Sequence, residues 1–169
     1  YDNTPIHRLM KDFMMQMGDP TGTGKGGESC WGRPFKDEFH GRLKFNHRGL
    51  VAMANENKPN SNHSQFFFTF DSCEWIDNKN TIFGRITGNT IFNLMRMNDA
   101  EVDDNDRPVD PLTIRSIKVL LNPFDDIVPR ASAKTPVVNI APATSSSRKR
   151  KSAKDAKLLS FGEEEGGDA

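Results

Sequence analysis

Between Asn62 and Thr69 a polar turn, Asn62-His63-Ser64, delivers Gln65 onto three consecutive aromatic residues, Phe66, Phe67 and Phe68. In an extended chain successive side chains alternate, so Gln65, Phe67 and Thr69 share one face and Phe66, Phe68 and Phe70 the other. One face therefore joins a hydrogen-bonding amide to an apolar ring, although a phenylalanine run at strand spacing is, taken alone, more often core packing. Gln16 stands two strand positions beyond Met14 and projects to the same side as that methionine. Arg8, a little earlier, is a permanent cation with a rigid donor fork that lysine could not reproduce. Taken alone, it reads as a solvated surface arginine.

Other chemistries fail on spacing. Gly24-Lys25 invites comparison with a phosphate-binding loop, but Gly26 stands where Ser or Thr is needed and Asp19 where the leading glycine belongs. Cys30 and Cys73 have no metal-like spacing and the four histidines are not clustered, which argues against zinc and for two buried, reduced thiols. No cofactor is implied.

The elements that must carry Arg8, Gln16 and Gln65 are short. Pro5 to Met10 and Phe13 to Met17, parted by Lys11-Asp12, read as a hairpin of two strands. Asp19 to Gly32, rich in Gly and Thr, reads as a long loop. Leu50 to Ala54 and Gln65 to Phe70 are strands flanking a surface loop from Asn55 to Ser64. Thr81 to Ile86 is a further strand ending at Gly88. Ile91, Phe92, Leu94, Met95 and Met97 then favour a helix with Asn89 or Thr90 as N-cap. After an acidic loop, Ile114, Ile117, Val119, Leu120 and Leu121 form a last strand. Six strands and one helix with short connections predict a mainly β, antiparallel barrel.

The 169 residues fit one domain and an extension, with a low apolar fraction of 35%. Composition shifts near Arg130. Residues 1–130 are dense in aromatic and aliphatic side chains, whereas 131–169 are rich in Ala, Ser, Pro and Lys and hold one aromatic, Phe161. That tail is expected to be disordered, being unable to bury enough apolar surface to offset its ordering entropy. Zero formal net charge argues against direct nucleic-acid binding, and no apolar run approaches a membrane span. Arg148-Lys149-Arg150-Lys151, preceded by three serines, reads as a nuclear-import signal. Asn62-His63-Ser64 formally fits a glycosylation acceptor, which a nuclear protein would not use.

Taken together and in order, Ile6-His7-Arg8, Phe13-Met14-Met15-Gln16, Leu50 to Asn55, Asn62 to Thr69, Glu74-Trp75-Ile76-Asp77 and Thr81 to Gly84 closely resemble the cyclophilin-type peptidyl-prolyl cis-trans isomerases. The resemblance runs from Tyr1 to about Leu121. It implies an eight-stranded barrel whose first two strands and first helix would precede Tyr1, so that the chain reads as truncated at its start. It also implies isomerisation of X-Pro bonds in proline-containing protein segments. Arg8 matches the family's catalytic arginine, with Gln16 orienting it and the substrate. By the same analogy Phe13, Met14, Phe67 and Ile76 line a proline pocket, Gln65 sits at its rim, Ala54 and Asn55 offer backbone groups, and Trp75 corresponds to a tryptophan associated with cyclosporin-type ligands.

Four departures stand against that pattern. Asn80 replaces a histidine at the pocket edge, Met17 a glycine, Glu56 a small residue beside a side pocket, and His63 a glycine where positive φ would be wanted. Together they point to weakened or altered catalysis, or to a proline-peptide binding module or scaffold. Leu121 to Arg130 and Leu158 to Glu165 resemble the spliceosome-associated branch of the family, of the serologically defined colon cancer antigen type. That branch implies a nuclear setting and spliceosomal protein partners.

Overall fold

A computed structural model of the chain describes residues 1–124 and residue 126. The tail from 131 onward, with Arg148 to Lys151 and Leu158 to Glu165, lies outside the described residues. In chain order the strands are β1 (Thr4–Pro5), β2 (Arg8–Met10), β3 (Met14–Met17), β4 (Leu50–Met53), β5 (Phe66–Thr69), β6 (Ile82–Arg85) and β7 (Thr113–Ile114). A 3-10 turn, Glu74–Ile76, precedes β6, and helix α1 (Thr90–Asn98) follows it.

Strands β2-β3-β5-β4-β6 form one antiparallel sheet, and β1 pairs with β7 in a second, two-stranded one. The segment expected as one strand from Pro5 to Met10 is thus shared. Pro5 pairs with Thr113, Ile6 donates its N–H to Leu112, and Arg8 begins the pairing with β3. Asp12, in the left-handed region at φ +58°, turns the chain between β2 and β3. Asn98 at the end of α1 fixes that turn: Asp12 N–H donates to its Oδ1 and its Nδ2 to Asp12 Oδ1, each over 2.8 Å.

Period-two patterning sorts the sheet into two cores. Met15 and Met17, Val51 and Met53, and Phe66 with Phe70 join Ile6, Leu9 and Leu94 of α1 on one face, where Phe68 packs partly buried. Met14, Leu50, Ala52 and Phe67 join Phe45 and Cys73 on the other. The alternation read across Gln65 to Phe70 is therefore present. Helix α1 starts where expected, but Asn89 caps it without a side-chain hydrogen bond.

Three expectations need correction. The last strand is only Thr113–Ile114, and Val119, Leu120 and Leu121 are 72%, 88% and 83% exposed. No strand among the described residues lies beside them, so apolar character alone does not make a ladder. Cys30 is exposed; only Cys73 is buried, where burial first, then the Asp71 and Asp77 carboxylates, push its thiol up to about 11. His63 is not among the residues with positive φ, so its side chain is free of that strain.

Candidate active site

Register assembles the site. Arg8 on β2 faces Gln16 on β3, Gln16 faces Phe67 on β5, and Phe67 faces Ala52 on β4. Residues directly opposite across antiparallel strands share a face, so one row crosses four strands from a cation through an amide to an aromatic ring. With strands about 4.8 Å apart, Arg8 stands roughly 10 Å from Phe67, the reach of about three extended residues.

Phe67 and Met14 are buried at the foot of this row, with Phe67 stacked on Phe45 at a centroid distance of 6.1 Å. Phe13, Ala54 and Ile76 pack on the same cluster while remaining partly exposed. Trp75, in the 3-10 turn, is 59% exposed and sets its ring 5.4 Å from Phe13. The fold thus brings together Phe13, Met14, Phe67, Trp75 and Ile76, the apolar residues expected around the pocket.

The polar members are oriented by specific partners. Gln16 Nε2 donates to Gln65 Oε1 over 2.7 Å, and Gln65 Nε2 donates to the carbonyls of Gly24 and Gly26. Gln16 was expected to orient Arg8, but its side-chain bond goes to Gln65. Arg8 is held by Asp106 instead, with Nε 3.3 Å from Oδ2. The Gln65 carbonyl accepts the Ala54 N–H at 3.0 Å. Asn55 Nδ2 donates to the Lys79 carbonyl and Asn80 Nδ2 to the Met53 carbonyl, so both amides tie the β6 approach to the end of β4. Glu56 lies 3.7 Å from both Lys58 Nζ and His63 Nε2.

The Gly-rich loop that Gln65 grips is organised by Asp19, which stands where a phosphate-binding loop would have its leading glycine. Asp19 is fully buried and accepts from the N–H groups of Thr21, Gly24 and Gly26 and the hydroxyls of Thr21 and Thr23. Burial pushes its carboxyl up, but these donors together outweigh it and bring the pKa down to about 2. A Cβ on Gly26 would lie 2.4 Å from Asp19 Oδ1, so a larger residue there would have to displace that carboxylate from its donors. The local signal was present: an aspartate followed closely by threonines and glycines is a side-chain-to-backbone turn pattern. His7, beside Arg8, is buried with neither ring nitrogen hydrogen-bonded. Burial chiefly, reinforced by Arg107 and Arg8 and opposed by Asp19 and Gln65, lowers its pKa.

The family model described as cyclophilin type peptidyl-prolyl cis-trans isomerase/CLD matches residues 1–119. The peptidyl-prolyl cis-trans isomerase CYP57 of Arabidopsis thaliana is 53% identical over 169 residues, covering 97% of this chain and 32% of that protein. The spliceosome-associated protein CWC27 homolog of Danio rerio is 53% identical over 164 residues, covering 97% and 34% respectively. The chain thus spans about a third of the length of these curated relatives. The crystal structure of a cyclophilin type peptidyl-prolyl cis-trans isomerase from Cryptosporidium parvum, determined in the presence of the dipeptide Ala-Pro, matches with a TM-score of 0.66 and 42% identity, over 72% of this chain and 77% of that one.

Proposed function

The chain belongs to the cyclophilin-type peptidyl-prolyl cis-trans isomerases, and from that premise we propose that it isomerises X-Pro bonds of protein segments at the face carrying Arg8, Gln16 and Phe67. The observation that carries this reading is the registered row from Arg8 through Gln16 to Phe67. An X-Pro bond rotates against amide resonance, a barrier of about 18–20 kcal/mol, and no covalent step is needed. The proline ring seats on Met14 and Phe67 between Phe13 and Ile76. Arg8 then donates to the rotating amide, where charge redistributes as resonance is lost. Ala54 N–H is already given to Gln65, so its carbonyl and the Asn55 backbone N–H are what that edge offers an extended peptide. Trp75, exposed beside Phe13, is positioned for a flanking side chain or a cyclosporin-type ligand.

The names borne by the relatives support a spliceosomal setting for this chain, with a nuclear location to which Arg148 to Lys151 would direct it. One observation favours a weaker catalyst: the Asn80 amide is committed to the Met53 carbonyl and adds no aromatic wall to the pocket. Exchange NMR on a short X-Pro peptide separates the readings. Line broadening between cis and trans signals at catalytic amounts of protein supports the enzyme. Shifted signals without faster exchange would leave a proline-peptide binding module.

A further inference from the structure

The Arg8 guanidinium is half exposed and long, yet it is met from a distant part of the chain. Asp106, 98 residues away, approaches its Nε at 3.3 Å. Asp106 belongs to a tight loop built around Asp103, whose Oδ1 accepts the N–H groups of Asn105 and Arg107 at 2.8 and 2.9 Å. The loop closes with Asp103 N–H on the Arg107 carbonyl and a bridge between Val102 and Pro108. It is then fastened at two places. The Asp106 carbonyl accepts the Leu9 N–H at 2.7 Å, next to Arg8 itself. Arg107 donates through Nη1 and Nη2 to the carbonyls of Gly22 and Thr23, at 3.0 and 3.1 Å.

These contacts close a ring. Arg8 is held by Asp106; Arg107, the next residue, holds the Gly-rich loop at Gly22 and Thr23; Gln65 grips the same loop at Gly24 and Gly26; Gln65 accepts from Gln16; and Gln16 faces Arg8 across the hairpin. We infer that Asp106 is a positioning residue for Arg8, aiming the guanidinium along the row toward Phe67 by taking its Nε and leaving the terminal Nη groups for the substrate amide. This rests on the reading of Arg8 as the catalytic arginine. An arginine without that partner must be ordered anew in each turnover, which for a long side chain amounts to about a 2- to 10-fold loss of rate.

Asp106 itself supplies a clean test. Its φ of +59° is a conformation that glycine adopts freely and asparagine tolerates, so Asp106→Gly removes the carboxylate while the carbonyl to Leu9 stays in place. In the full chain with an uncharged X-Pro test peptide, Asp106→Gly should lower kcat/KM by about 2- to 10-fold, mainly in kcat, with Asp106→Asn falling between it and the parent protein. The pair is exposed, 45% on Arg8 and 41% on Asp106, and therefore screened by salt. Turnover of the parent should accordingly fall as salt rises, and that dependence should vanish in Asp106→Gly, which a merely structural role would not produce. An Arg8→Ala control locates any failure. Loss of activity in Arg8→Ala with parental turnover and salt response in both Asp106 variants would overturn the inference alone; activity retained in Arg8→Ala would overturn the reading it rests on.

Discussion

Gln16 and Gln65, 49 residues apart, are joined by a 2.7 Å hydrogen bond from Nε2 to Oε1, and that bond fixes which way the Gln65 amide points. With its oxygen facing Gln16, the Gln65 nitrogen is left to the carbonyls of Gly24 and Gly26. The amide expected at the pocket rim is therefore first a clamp between the β2–β3 hairpin and the Gly-rich loop.

Gln65→Ala should be destabilising as well as inactivating. It strands the Gln16 amide and two loop carbonyls in a partly buried setting, a loss of about 1–3 kcal/mol. Thermal unfolding should register the lower midpoint, and kcat/KM should fall with it; an unchanged midpoint would mean that water replaces the clamp.

Acid should loosen the Gly-rich loop through Asp19. Its folded pKa, about 2, lies below the ordinary carboxylate value of 3.8, so the contribution is complete above about pH 5 and is lost progressively as pH falls through about 2. The size is on the order of 2 kcal/mol. Denaturant unfolding followed across that window should show the decline in the parent chain, and Asp19→Asn, less stable at neutral pH, should show a flatter profile.

Asn98 should matter more than a helix-end residue usually does. It is buried and exchanges two hydrogen bonds with Asp12, so Asn98→Ala orphans the turn that sets β2 against β3. A loss of about 1–3 kcal/mol is expected in denaturant unfolding; a change within about 0.5 kcal/mol would place the turn's stability elsewhere.

The basic run Arg148 to Lys151 should carry a fluorescently tagged chain into the nucleus. Alanine at all four positions should shift it to the cytoplasm under the microscope, and undiminished nuclear accumulation would remove the import assignment.

The difference between what was legible in the sequence and what was not follows from the range of each signal. Strand alternation is local, so the faces of Met14 to Met17 and Gln65 to Phe70 could be read directly, whereas the expectation that Met14 and Phe67 line a proline pocket came from the family resemblance alone. The hairpin was legible because Lys11-Asp12 punctuates it. Asp106 was hidden because nothing near it refers to Arg8, and their meeting depends on how the loop after α1 returns to β2. Asn98 was hidden for the same reason. Asp19 carries a local pattern, an aspartate followed closely by threonines and glycines, that marks a turn and does not by itself show which loop residues it will bind. Ile117 to Leu121 misled because a β-rich composition describes a strand's preference and not the presence of its partner.

Arg8 is the most direct point of test. Arg8→Ala, measured by cis-trans exchange on an X-Pro peptide alongside thermal unfolding, should lower the catalysed rate by about 10²–10³ with little change in midpoint, because the side chain is half exposed and its ion pair with Asp106 is solvent-screened. Arg8→Lys should recover little, lacking the planar fork. A folded Arg8→Ala variant that exchanged the peptide at the parental rate would contradict the account.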